Sequence, residues 1–242
     1  MPLLDHFRPP LSRTHPWRGF HGAWAAAMAR LLNQGVLPAG YYAVPFLDHD
    51  GPVEIDVAAL HDSISNGTID GSAGMSDWKP DSPGISLVVD LTAIDGVRVD
   101  VMSDNGDPVL AASVELVSPG NKDRLRSRQA FASKCAVLLR QGCGVVVVDV
   151  VTTRLANLHA DLLVALGVEV VSEISAGLGV VSYRTIGHDE AGQLLAWPAP
   201  LELGNRLPTV PLWLSADLAV PLDLEASHAA ACVDLRIHLA AG

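Results

Sequence analysis

The stretch Val109-Leu-Ala-Ala-Ser-Val-Glu-Leu-Val-Ser-Pro-Gly-Asn-Lys122 decides how this chain is read. It predicts a buried strand in which one carboxylate, Glu115, stands among apolar neighbours. An ionised carboxylate in apolar surroundings is costly unless a cation or hydrogen-bond donors meet it. The chain carries 27 Asp and Glu residues, so acid is plentiful for its surface and packing alone gives no reason to bury one. The strand breaks at Ser118-Pro119-Gly120 and runs into Asn121-Lys122-Asp123-Arg124, the start of the densest basic stretch. A lone buried acid followed at once by basic residues points to a metal or phosphate site.

Working outward, Val97–Ser103 and Val109–Val117 predict a hairpin, because Asp104-Asn-Gly-Asp107 between them is a strong turn signal. Arg124–Arg140 predicts a helix with Phe131, Cys135, Leu138 and Leu139 on one face. The wholly apolar Val145–Val148 predicts a strand ending in Asp149, followed by a helix over Leu155–Leu166 and a strand over Val168–Ile174. Toward the N-terminus, Ile85–Leu91 is a short apolar strand. Tyr41–Leu47 and Val53–Leu60 read as strands separated by the turn Asp48-His-Asp-Gly51. Residues 61–83, rich in Ser, Gly and Asp, read as a long loop or insertion. Arg18–Asn33 is helical, with Phe20, Trp24, Ala27, Met28, Leu31 and Leu32 at helical spacing, and Gly35 and Pro38 end it.

Residues 1–17, rich in Pro, His and Arg, read as an extended arm. Gly179–Ile186 and Gln193–Leu203 suggest a further antiparallel pair. From Pro208 the chain is Pro-rich and turns helical near Leu224. The expected organisation is an arm (1–17), an α/β domain (18–207), and a C-terminal segment (208–242) that packs on it. The element order gives a mixed sheet flanked by helices rather than a doubly wound Rossmann sheet.

Composition narrows the function classes. Of 242 residues, 49% are hydrophobic and 18% charged, which supplies a sizeable core and excludes wholesale disorder. No apolar run reaches the roughly 18 residues that span a bilayer, so no membrane association is expected. MPLLDHFRPP lacks the apolar core of a signal peptide. Cys135, Cys143 and Cys232 have no metal-ligand spacing and read as free thiols, giving a cytoplasmic expectation. The net charge of −11 argues against broad nucleic-acid binding but leaves room for a local basic patch.

Alternation places Asp56 and Glu54 on one face of the strand Val53–Leu60. Lys134 follows Phe131 by three residues and precedes Leu138 by four, so it is carried on the apolar side of its helix. A lysine there either snorkels out or meets a buried acid. Asp56 and Glu115 on strands, with Lys134 on the next helix, form a coherent set. The acids suit Mg²⁺, a hard cation that prefers oxygen ligands. The lysine suits positioning or deprotonating a water, or neutralising a developing phosphorane. Taken singly, each acid also reads as a strand-end or surface residue, and Lys134 as a snorkelling one.

These residues resemble the PD-(D/E)XK restriction-endonuclease-like superfamily, whose order is Asp, then Glu inside a strand, then a lysine. The closer resemblance is to a bacterial domain-of-unknown-function family, number four thousand and fifty-eight, related to Uma-type proteins. Its Trp/Phe-His helix start is seen as Trp17-Arg-Gly-Phe20-His21, and its "pDvavl" strand as Ile55-Asp-Val-Ala-Ala-Leu60. Its "viEilSPsNK" is seen as Ser113-Val-Glu-Leu-Val-Ser-Pro-Gly-Asn-Lys122, and its "PLDL" as Pro221-Leu-Asp-Leu224. Uma-type proteins carry a lysine eight residues before a glycine that precedes an apolar strand; here Lys134, Gly142 and Val145 stand in those places. The resemblance implies a restriction-endonuclease-like fold, Asp56 and Glu115 as ligands of Mg²⁺ or Mn²⁺, Lys134 as the catalytic lysine, and pairing into a homodimer. The sequence departs from it at Val117, which stands where the usual E-x-K lysine would be. A relocated Lys134, or Lys122, must then serve.

Lys122, Arg124, Arg126 and Arg128 are candidates for phosphate contacts at the lip of the site, the alternative being a solvated first helical turn. Cations at a helix N-terminus oppose the macrodipole, which favours a functional reason. His21, Ser118 and Asn121 are further candidate neighbours, and Asp149 ends an apolar strand that could face the site. Asn121-Lys122-Asp123 looks like a guanine-recognition motif, but no Gly-rich phosphate loop accompanies it. The scattered histidines give no zinc spacing, and no G-x-S-x-G element occurs. Two expectations stand: a Mg²⁺-dependent phosphodiesterase acting on DNA, or a catalytically inactive module that keeps the fold for protein interaction or assembly.

Overall fold

Six consecutive residues, Gly144–Asp149, are all buried, as a strand covered on both faces must be. The computed structural model describes residues 1–45, 57–61, 78–90, 109–168, 176–187 and 191–238, with the backbone alone for 57–61, 90 and 191. In chain order the elements are α1 (Leu11–Thr14), α2 (Trp17–Asn33), β1 (Tyr41–Pro45), β2 (Val57–His61), β3 (Ile85–Asp90), β4 (Val109–Leu116), α3 (Pro119–Asp123) and α4 (Leu125–Arg140). There follow β5 (Gly144–Asp149), α5 (Leu158–Ala165), β6 (Gly179–Ile186), β7 (Ala191–Pro200), β8 (Thr209–Trp213), β9 (Ala219–Asp223) and α6 (Leu224–Asp234).

The protein is a mixed α/β structure. Its main sheet runs β1-β2-β4-β5-β6-β7-β3. All neighbours are antiparallel except β4 and β5, which are parallel with Glu115 opposite Val147. A parallel neighbour requires a crossover, and α3 with α4 supplies it. Strand alternation then sorts the core into two layers. Val114, Leu116, Val146, Val148 and Val180 pack with Phe20, Trp24 and Met28 of α2 and with Leu224 and Ala231 of α6. Val145, Val147, Val181 and Tyr183 pack with Phe131, Leu138 and Leu139 of α4 and Leu162 and Leu163 of α5. Glu115 lies between Val114 and Leu116 in sequence and so faces the α4–α5 layer.

α5 starts later than its apolar pattern suggests, because Asn157 caps it by accepting from Ala160 N at 3.0 Å. The tail differs more. The Pro-rich segment after Pro208 is a two-stranded ribbon, β8–β9, in which Pro211 and Pro221 are cross-strand partners. Proline is tolerated because such a ribbon leaves edge positions that need no N–H. The Pro211 carbonyl accepts from the buried Ser182 hydroxyl at 2.6 Å, which pins the ribbon to β6. A Cβ on Gly144 would lie 2.1 Å from the Trp213 carbonyl oxygen, so only glycine lets β5 and β8 approach this closely.

Residues 1–17 do not form an extended arm. Leu3 is buried in the α2–α6 layer, its N–H donates to Asn205 O at 2.8 Å, and its carbonyl accepts from Gly204 N at 2.9 Å. Leu3 is 1% and His6 1% exposed, held by the backbone bonds to 204–205 and by the rings of Phe20 and His228 rather than by any helical repeat. His6 stacks on Phe20 and its Nε2 lies 3.0 Å from His228 Nε2. The expected strand Val97–Ser103 and the turn before Val109 lie outside the described residues, as do 46–56, most of loop 61–83 and nearly all of Val168–Ile174.

Candidate functional site

Glu115 is 1% exposed. Its Oε1 accepts from the Ser113 hydroxyl at 2.7 Å, and its Oε2 from Lys134 Nζ at 2.5 Å. Ser113 reaches it because residues two apart on a strand share a face. Lys134 reaches it because α4 crosses that face, with Phe131, Cys135 and Leu138 buried on either side of the lysine. The ammonium also stands 5.3 Å from the centre of the Phe131 ring. The side chain of Lys134 is 11% exposed, so the pair sits at the rim of the core rather than sealed within it.

A second buried pair lies on the adjacent strand. Lys122 Nζ is 2.7 Å from Asp149 Oδ2, and the lysine side chain is fully buried. Asp149 Oδ1 accepts from Val151 N at 3.1 Å. Burial pushes the Asp149 carboxyl up; the Lys122 ammonium and the Val151 N–H pull it back only in part. Asp149 lies two residues beyond Val147, so both acids occupy the same face of the parallel pair.

The segment between these acids is a capping box. Ser118 Oγ accepts from Asn121 N, and Asn121 Oδ1 accepts from Ser118 N at 2.8 Å, with Pro119 at the first helical position. Ser118 and Asn121 thus close α3 onto itself and turn the chain so that Lys122 drops into the core. Lys122 is therefore no lip residue: burial against Asp149 removes it from any surface phosphate. Arg128 is ion-paired with Asp161 at 3.2 Å and ties α4 to α5. Arg124 and Arg126 are exposed and remain as the basic surface of this turn. His21 stacks on Trp17 in α2, which packs on the opposite face of the sheet, so the fold does not bring it to Glu115.

Asp56 and Glu54 lie outside the described residues; β2 begins at the next residue, Val57, which pairs with Val114. Among the described residues no group of three or more His, Cys, Asp and Glu side chains is placed to hold a metal ion. Of the two proposed metal ligands, Glu115 is the one among the described residues. Its oxygens are hard donors of the kind Mg²⁺ takes.

Sequence reasoning treated Asp149 as a strand-end acid that could face the site and did not pair it with Lys122. Lys122 stands in the last turn of α3, where a cation suits the macrodipole, so its place on the helix gave no signal of the buried anion beside it. The buried pair His159–Tyr183, with Nδ1 2.7 Å from the phenol oxygen, carried no motif at all. No helix among the described residues is long and apolar enough to cross a membrane. In comparison with known proteins, no family model, no curated protein and no solved structure matches the chain.

Proposed function

We propose that the Glu115–Lys134 pair is the catalytic centre of a Mg²⁺-dependent phosphodiester hydrolase acting on DNA, of restriction-endonuclease-like type. The observation that carries this reading is the 2.5 Å contact between Lys134 Nζ and Glu115 Oε2, an acid inside a central strand meeting a lysine from the following helix. Glu115 and Asp56 would hold the cation, which supplies a Lewis acid and an activated water when bound. Lys134, ion-paired and close to the surface, is suited to neutralising charge that develops on a phosphorane. Ser113 fixes the Glu115 rotamer by occupying Oε1, and Arg124 and Arg126 offer exposed charge for a backbone phosphate.

The second reading, a catalytically inactive module of the same fold, draws support from the hydrogen bonds already made to both oxygens of Glu115 and from the loss of Lys122 and Arg128 as phosphate contacts. Incubating the purified protein with plasmid and with single-stranded DNA, in Mg²⁺ or Mn²⁺, separates the two. Metal-dependent cleavage that disappears in Glu115→Gln supports the hydrolase. Cleavage absent with both metals, or unchanged in that variant, sinks it.

A further inference from the structure

Residues 1–10 carry no helix or strand, yet they pack inward against α2 and α6. Few polar contacts fasten them. The Met1 ammonium meets Glu225 at 2.6 Å, and Leu3 exchanges backbone hydrogen bonds with Gly204 and Asn205. Asp5 Oδ1 accepts from the Thr152 hydroxyl at 2.8 Å. His6 meets His228 of α6 through their Nε2 atoms at 3.0 Å. The first ring is stacked on Phe20 and the second stands edge-on to Trp24, so both are closed off from water.

This contact suits a neutral pair. One hydrogen lies between the two Nε2 atoms, donated by one ring and accepted by the other. An added proton must then go to an outer nitrogen. His6 Nδ1 is buried with no hydrogen-bond partner. His228 Nδ1 faces the Cys232 sulfur at 3.9 Å, a weak acceptor. A buried imidazolium whose new N–H finds no good acceptor is costly.

The groups around the pair do not relieve that cost. In the N-terminal segment, the Asp5 carboxylate is engaged by Phe7 N and Thr152. On α6, Glu225 favours a proton on His228, but its oxygens are committed to the Met1 ammonium and Leu207 N, with Arg206 3.9 Å away. The Met1 ammonium opposes a proton on His228, and His15 at the end of α1 opposes one on His6. α2 presents the rings of Trp17, Phe20 and Trp24, with His21 stacked on Trp17. Burial therefore holds His6 down to about 3 and His228 to about 4.

We propose that residues 1–10 form a latch released by acid: protonation of His6 and His228 frees the segment from α2 and α6 while the main sheet stays folded. Both rings are neutral when docked and titrate near 6.5 once released, so docking is fully favoured above pH 6.5 and is lost as pH falls toward 4. The α4–α5 side of the sheet has a core of its own that includes neither histidine. The latch uses neither Glu115 nor Lys134, so it stands whether or not the protein cuts DNA.

Amide hydrogen exchange of the ¹⁵N-labelled protein, corrected for the intrinsic effect of pH, tests this. Leu3 and Gly204 report the latch, and Val117, whose N–H donates to Val148 O at 2.9 Å, reports the sheet. Between pH 7.5 and 5.5 the opening constant at Leu3 and Gly204 is expected to rise about a hundredfold, roughly tenfold for each histidine. At pH 5.5 it should exceed that of Val117 by at least about tenfold, the mark of a sub-global opening. His6→Phe combined with His228→Phe keeps two rings and is expected to reduce the rise to about twofold or less. Opening at Leu3 that is unchanged with pH, that equals opening at Val117, or that still rises a hundredfold in the double variant overturns the proposal. The comparison of Leu3 with Val117 needs no variant and so does not depend on one folding.

Discussion

Two lysine–carboxylate pairs lie side by side on β4 and β5, and they differ in what each holds in place. Lys122–Asp149 joins a one-turn helix to the end of a strand, and its carboxylate has a backbone N–H as well. Without it α3 would have little to bind it to the core. Lys134–Glu115 joins the middle of a long helix to the middle of a strand, where Phe131, Cys135 and Leu138 already provide the attachment. Ion pairs in a core are weak contributors to stability relative to apolar replacements. The pair with no local fastening task is therefore the better candidate for chemistry, and the partly exposed lysine gives it an opening to solvent.

The comparison breaks most sharply on activity. Glu115→Gln and Lys134→Met are each expected to lower metal-dependent DNA cleavage by about a hundredfold or more, the usual cost of removing a group that stabilises transition-state charge. Asp149→Asn, measured at a temperature where it remains folded, should retain cleavage within a few-fold. Equal losses from both acids, measured as initial nicking rates, would erase the distinction.

On stability the order reverses. Lys122→Met leaves the Asp149 carboxylate buried without its cation and should cost about 3–5 kcal/mol in urea denaturation at pH 7. Removing the lysine raises the folded-state pKa of Asp149 further above its unfolded value. The destabilisation is then largest above that folded value and shrinks as acid neutralises the carboxyl. A variant whose deficit grows on acidification would contradict the assignment.

Acid acts on the unaltered protein with the opposite sign. Burial lowers His6 to about 3, and His159 and His228 to about 4. All three are neutral when folded and take up protons near 6.5 when unfolded. Their contribution is whole above pH 6.5 and is lost as pH falls toward 4, by several kcal/mol in total. Urea titrations at half-unit pH intervals would follow this, and His159→Phe should remove part of the slope.

The smallest effect is expected from taking away both partners of one pair. Glu115→Met with Lys134→Met should leave stability within about 1–2 kcal/mol of the parent, since no charge is left behind. A loss as large as that of Lys122→Met would make the pair a structural fastening after all.

Much of this contrast was readable before any coordinates. The apolar run around Glu115 fixed a buried strand, and the phase of Phe131, Cys135 and Leu138 turned Lys134 toward it, because both inferences depend on local periodicity alone. Asp149 and Lys122 are 27 residues apart, and their meeting depends on the parallel register of β4 and β5, which no window of sequence contains. The Pro-rich ribbon was missed for a related reason. Proline argues against a strand in general, and only the position of β8–β9 outside the main sheet lifts that penalty. The inward packing of Leu3 and His6 rests on partners more than 200 residues away.

The close approach at Gly144 has an evolutionary consequence. With a carbonyl oxygen standing where a side chain would begin, position 144 is closed to every amino acid but one, however freely the strand around it exchanges valine for isoleucine. In a saturation library selected for folded protein, it should stand out as a single-letter column inside a permissive apolar run. Drift could open the position only after the Trp213 backbone had first moved aside, which makes the order of substitutions at these two places irreversible in practice.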